Sequence, residues 1–155
     1  QVHFNDSTVD WAKLPEFGFV AEHIGEEFYN QLTGREMLAQ FDNGSLSQLD
    51  VSGNVENIML PQENDSTYNK IISSTSSYLR AHFNDSTLQK LTMWPEVDGT
   101  VTPLYLAKKS IYYLPQFKWY EALRPKDKDD IFNVPPEMEA LLKEPDPGIR
   151  RRRVN

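Results

Sequence analysis

"FDNGSLSQLDVSGNV" (residues 41–55) and "FNDSTLQKLTMWPEV" (residues 83–97) are one pattern written twice, 42 positions apart. Phe41 aligns with Phe83, Leu46 with Leu88, Leu49 with Leu91, Val51 with Met93 and Val55 with Val97. A weaker first copy, "HFNDSTV" (residues 3–9), lies 37 positions before the central one, with Phe4 in the phenylalanine position and Val9 in the leucine position. Each copy has the same plan: an alternating arm ends in phenylalanine, a polar turn follows, and a second arm begins.

The arm "GREMLAQF" (residues 34–41) sets Met37, Ala39 and Phe41 against Leu38 and Gln40. In "SYLRAHF" (residues 77–83), Leu79, Ala81 and Phe83 oppose Tyr78, Arg80 and His82. Period two is the signature of a strand with one wetter side. "DNGS" supplies residues that tolerate positive φ in a tight hairpin, and "NDST" is a looser version of it. The phase changes between Leu46 and Leu49, which predicts a bulge. "SGN" (residues 52–54) and "WPE" (residues 94–96) are then expected to break the strands. "YNQLTG" (residues 29–34) is echoed by "YNKIIS" (residues 68–73), and "LPQENDST" (residues 60–67) reads as a surface loop. Hairpins repeating at a period near 40 cannot hide an apolar face alone, so they stack. A compact sandwich with incidental hairpin similarity is the alternative.

Flanking segments are less regular. "EFGFVAEHI" (residues 16–24) predicts a strand with Phe17, Phe19 and Ala21 on one face. "TPLYLAKKSIYYL" (residues 102–114) reads as one or two strands, and "FKWYEAL" (residues 117–123) as a final strand or short helix. From Arg124 the text turns charged; "PPEMEALLKEP" (residues 135–145) predicts a short helix, and residues 146–155 a disordered basic tail. The expected organisation is a β domain over residues 1–123 and a linker, helix and tail over 124–155.

Sixteen Lys and Arg against 23 Asp and Glu give a formal net charge of −7, which argues against nucleic acid as a partner. The run Arg150–Arg153 is either a solvated tail or a contact for phosphate or a membrane surface. Absent cysteine removes disulfides and thiolate chemistry. No apolar run approaches the roughly 20 residues that span a bilayer, and no signal peptide is visible. Gln1 already lies inside strand-like text, as in an excised or processed piece of a longer chain.

No catalytic spacing is present, whether of metalloprotease, P-loop, hydrolase-elbow or dinucleotide type. His3 and His82 recur with the repeat, but Gln40 interrupts any metal-binding ladder. Asp127, Asp129 and Asp130 lack the glycine and distal glutamate of a calcium loop. Carboxylate pairs such as Asp85 and Glu96 are expected by chance in so acidic a chain, and the "DST" triplets at Asp6, Asp65 and Asp85 read first as turn chemistry. No metal, cofactor or enzymatic activity is therefore expected. The chain's distinctive supply is apolar, from Phe17 through Met93. A closed sandwich uses such residues as core; a splayed one exposes them as a groove.

The stretch "NQLTGREMLAQFDNGSLSQLDVSGNVENI" (residues 30–58) resembles the OstA-like family, which includes the periplasmic lipopolysaccharide-transport proteins A and the N-terminal domain of the outer-membrane protein D. The fitting residues are Phe41, Asp42, Asn43, Gly44, Leu46, Val51, Gly53, Asn54 and Val55. The resemblance spans roughly residues 17–106, more faintly 3–11, and is nearest to the Bacteroidetes type. It implies an all-β, V-shaped roll of two antiparallel sheets, the β-jellyroll or β-taco, holding lipopolysaccharide acyl chains. It also implies a periplasmic location at the outer membrane, and joining of rolls to copies or to other bridge proteins by strand addition across open edges. The implied lining is Met37, Ala39, Phe41, Val51, Leu79, Ala81, Phe83 and Met93. "WPE" departs from the family's "GN" element, and Pro95 is expected to mark the last full rung. An acidic surface repels anionic headgroups unless cations bridge them. The expected function is a non-enzymatic lipid-transport module without a cofactor. The rival is a closed sandwich that binds protein or carbohydrate through aromatics such as Trp94, Tyr105 and Trp119.

Overall fold

The computed structural model describes residues 1–6, 8–63, 67–85 and 87–121. Among them run β1 (Val2–Asn5), β2 (Thr8–Leu14), β3 (Gly18–Gly25), β4 (Phe28–Gly34), β5 (Glu36–Asp42), β6 (Ser45–Met59), β7 (Lys70–Asn84), β8 (Thr87–Trp94) and β9 (Asp98–Pro103). All pairings are antiparallel, and the nine strands form one sheet that does not close into a barrel.

The three copies are three hairpins lying side by side: β1–β2, β5–β6 and β7–β8. At corresponding turn positions Asp6, Asn43 and Asp85 all have positive φ, at 52°, 49° and 47°. In the central turn Gly44 follows at 80°, so both loop residues take the left-handed region that a two-residue hairpin demands. The expected bulge is present, and in every copy. Registers jump after His3, Gln40 and His82, which leaves Asp10, Ser47 and Gln89 as the extra residues. The shift restores Leu46 and Leu88 to the face of the phenylalanines they oppose.

β6 and β7 are long, and each pairs with different neighbours along its two halves. The first half of β6 meets β5 and its second half meets β4; β7 meets β9 at its start and β8 at its end. The sheet therefore has two leaves that share β6 and β7. One runs β1-β2-β5-β6-β7-β8, the other β3-β4-β6-β7-β9. A crease separates them, crossing Pro15–Phe17, Arg35, Gly53–Asn54, Ser77 and Pro95–Val97. The Arg35 amide donates to the Gly53 carbonyl at 2.8 Å, and the Ser77 amide to that of Pro95 at 3.2 Å. Here "SGN" does not break its strand. Gly53 and Asn54 turn through φ of 77° and 50° while β6 continues to Met59. "WPE" does break its strand, at the same line.

The leaves touch beside the crease. A Cβ on Gly18 would lie 2.5 Å from the Met37 sulfur, and the Ser74 hydroxyl is 3.6 Å from that of Met93. Leu32 and Val55 of the second leaf join Met37, Leu49, Val51, Leu79 and Ala81 of the first in one core cluster.

"EFGFVAEHI" forms β3 with Phe19 and Ala21 on one face, but Phe17 stands exposed at the crease. "TPLYLAKKSIYYL" is not a pair of strands. After β9 it makes two 3-10 turns, Leu104–Leu106 and Lys109–Ile111, and then a strap across the outer face of the second leaf. Leu104, Ala107, Tyr112 and Leu114 there cover Ile58, Leu60 and Ile71. Gln31, buried in β4, holds the strap by its backbone: its amide nitrogen donates to the Tyr112 carbonyl at 2.7 Å and its oxygen accepts from the Leu114 amide at 2.8 Å. The cause of the misreading is that the strap's polar backbone groups are met by a side chain rather than a ladder.

Chain contacts divide the molecule into two units, Gln1–Phe117 and Lys118–Asn155. Of the second, residues 118–121 are described, neither strand nor α-helix. The expected helix over 135–145, the acidic turn with Asp127, Asp129 and Asp130, and the Arg150–Arg153 run lie outside the described residues.

Candidate functional site

Directly opposed residues in an antiparallel ladder share a face, so the registers assemble the inner face of the first leaf row by row. Nearest the crease, Leu14, Met37, Val51, Leu79 and Met93 oppose one another across five strands. The next row is Val2, Ala12, Ala39, Leu49, Ala81 and Leu91, across six. The last row, at the turns, is made of three hairpin pairs: Phe4 with Val9, Phe41 with Leu46, Phe83 with Leu88. No side chain in the three rows carries oxygen or nitrogen.

Burial is graded across these rows. Val51 and Leu79 are 0 % exposed beside the crease, whereas nothing in the turn row is buried, and Phe4 at the β1 edge is 60 % exposed. Val2, Leu14 and Leu88 at the lateral edges are also open. The facing side of the second leaf carries a parallel row, Val20, Leu32, Asn57, Ser74 and Gly99, and beyond it Met59, Ile72 and Val101. Asn57 and Ser74, both buried, satisfy each other by a hydrogen bond. Val20 and Val101 at the two edges are exposed.

Of the residues proposed from sequence, Met37, Ala39, Val51, Leu79, Ala81, Phe83 and Met93 meet in the one cluster around the crease. Phe41 shares the turn row with Phe83 but, unlike Phe83, does not pack against that cluster. Ala12 and Leu14 were missed, although extending the first copy by five residues places them on Leu49 and Val51, at the same offset of 37. Asn57 and Ser74 carry no periodic signal, since polar residues on an inner face break the pattern that would find them.

The opposite face of the first leaf carries charged groups beside Trp11, Leu38, Tyr78 and Trp94. Asp50, nearly buried, accepts from Arg80 Nε at 2.5 Å and from the Gln48 amide at 2.7 Å. The hydrogen bond to Asp50, and then its charge, raise the Arg80 pKa above its ordinary value. Lys13 pairs with Glu36 at 2.9 Å. In the strap, burial and then the charge of Glu27 raise the Tyr113 pKa. Glu27 also accepts from Lys109 at 2.7 Å, and this hydrogen bond raises the lysine's pKa. Among the described residues no three His, Cys, Asp or Glu are grouped to hold a metal ion, and no helix is long and apolar enough to cross a membrane.

Comparison with protein-family models, with curated proteins and with solved structures gives no significant match for this chain.

Proposed function

We propose that the chain is a non-enzymatic acyl-lipid carrier or bridge module of the OstA-like, β-taco type, taking lipopolysaccharide or a similar acylated lipid in the periplasm. One observation carries this reading: the inner face of the first leaf is apolar through three successive rows, sealed at the crease and open at the turns. Acyl chains laid along the open rows would leave water at about 0.8 kcal/mol per methylene, while the headgroup stays outside. Phe83, Phe41, Leu88 and Leu91 would line the occupied part; Met37, Val51 and Leu79 would form its floor. Strand edges at β1 and β8, and at β3 and β9, have no partner among the described residues, which supports end-to-end pairing with copies or other bridge proteins.

The test is photo-crosslinking from a benzophenone side chain at Phe83 or Leu91, in protein loaded with an acylated lipid, together with lipid extraction of the purified chain. The expected result is a lipid adduct at both positions and none from Thr92, which alternates onto the other face of β8. No adduct and no extractable lipid would reject the reading. The second reading, a filled sandwich that binds protein or sugar, draws on the complete burial of Val51 and Leu79 and on the Tyr78–Trp94 pair outside, with ring centroids 4.7 Å apart.

A further inference from the structure

We infer that the outer face of the first leaf carries a saccharide-binding site centred on Trp11. It lies on the opposite side of the same strands from the apolar rows, and does not rest on the acyl-lipid reading. A depression of about 460 Å3 opens here, lined by Leu38 and Gln40 of β5 and by Trp11 and Lys13 of β2. Asp10 and Ser47 complete the lining, with Phe41 at the turn end. Both are the extra residues of bulges, Asp10 in β1–β2 and Ser47 in β5–β6. The bulges that keep Val9 and Leu46 on the apolar face thus deliver two polar side chains to the rim of this depression.

Trp11 is held in place. His3, across the ladder on β1, stacks on it with centroids 5.5 Å apart and planes 2° from parallel, and His3 is itself 3.4 Å from Asp10. His3 does not line the depression; it backs the indole from β1 while the depression lies on the β5 side. An indole with one face supported and the other towards a hollow is a platform for a flat ligand with a C–H surface.

The charged groups around it have partners of their own. Lys13 is neutralised by Glu36, and Asp10 faces His3. Neutral groups stand open beside them: among the described residues the indole N–H and the Gln40 amide have no partner, and the Ser47 hydroxyl donates to the Gln40 carbonyl at 3.0 Å with its lone pairs still available. An amide offers donor and acceptor together, as vicinal hydroxyls require. A supported aromatic face beside an amide and a hydroxyl matches a pyranose ring with free vicinal hydroxyls. The positions equivalent to Trp11 in the other copies are Gln48 and Lys90, so the platform belongs to the first copy alone.

The test is a titration of the full chain with maltose, lactose and N,N′-diacetylchitobiose, following the indole and side-chain amide signals by NMR. A glycyl-tryptophan dipeptide and adenosine serve as non-saccharide probes. At least one disaccharide should move the Trp11 indole and Gln40 amide signals saturably, with millimolar affinity. Trp11→Ala should weaken it at least tenfold, Trp11→Phe less, and Gln40→Ala several-fold, with Lys90→Ala unchanged. Gln40→Ala, at an exposed position, keeps the test valid should Trp11→Ala fail to fold. The inference is overturned if no saccharide moves the Trp11 signal, if the shift survives both alanine variants, or if only the dipeptide or adenosine binds.

Discussion

A Cβ on Gly34 would lie 2.4 Å from Cγ1 of Val51, a side chain with no exposed surface. Gly34 sits where the chain enters the crease, opposite Gly18, and both glycines make room for a core side chain that leans over them. Because Val51 is β-branched and enclosed, it has little freedom to swing aside. Gly34→Ala should cost about 1–3 kcal/mol by overpacking, and Val51→Ala about 2 kcal/mol by leaving a void. The double variant should be less destabilised than the sum, since each change relieves the other; urea denaturation of the four proteins measures the difference. Tyr113 gives a second residue-level expectation. Its phenol donates to the Glu27 carbonyl at 2.8 Å, and burial and then the Glu27 charge raise its pKa. The folded state therefore keeps a proton that the unfolded state loses, so the contribution is complete below the ordinary tyrosine pKa of about 10 and disappears as pH rises through the higher folded value. Between pH 9 and 11 the urea midpoint of the native chain should fall more steeply than that of Tyr113→Phe. Of such detail the sequence shows little: a glycine that seats a partner reads the same as one in a turn.

At the scale of elements, the hairpins were legible and the strap was not. Phenylalanine, a turn and a phase slip between Leu46 and Leu49 announced both the pairing and the bulge, because a one-residue slip would otherwise turn Leu46 outward. "SGN" carries the same residue types as a strand end, but the neighbours of β6 on both sides hold its ladder together through the bend. In the strap, Leu104, Ala107, Tyr112 and Leu114 have the apolar density of a strand. The backbone of Tyr112 and Leu114 is held by Gln31, more than 80 positions away, and no local pattern reports such a contact. Gln31→Ala should leave the Tyr112 carbonyl and the Leu114 amide unpaired, at a cost of about 1–3 kcal/mol. Hydrogen exchange at Leu114 should accelerate well before that at Val51 or Leu79. Equal acceleration at all three would mean that the strap is no separate element.

For the whole molecule, the formal charge of −7 sets the conditions under which a lipid could be received. Repulsion between an acidic protein and an anionic membrane or headgroup reaches about 30 Å at 0.01 M salt and about 8 Å at 0.15 M. Uptake of an anionic acylated lipid should therefore rise with ionic strength, and rise further with millimolar Mg2+, while uptake of an uncharged lipid of equal chain length should not change. Fluorescence transfer from vesicles of the two kinds measures it; an equal response would remove electrostatics from the encounter. The antiparallel β class was legible at this scale because the repeat spans most of the strands. The crease was not, since five strands cross it with five different backbone solutions, from Pro15 to Gly53 to Pro95, and they align only once the registers are known.

The three like hairpins have a consequence for how such a chain can grow. The central copy, of about 40 residues, contributes two strand paths that cross the crease, β4–β5 and β6, and neighbouring strands stand about 4.8 Å apart. Duplicating this copy in the gene would widen both leaves together by about 10 Å, with Phe, Leu and Val falling into rows that already exist and the turn and bulge supplying their own register. The span of the molecule is thus adjustable in fixed increments, by copying rather than by redesign of its interior.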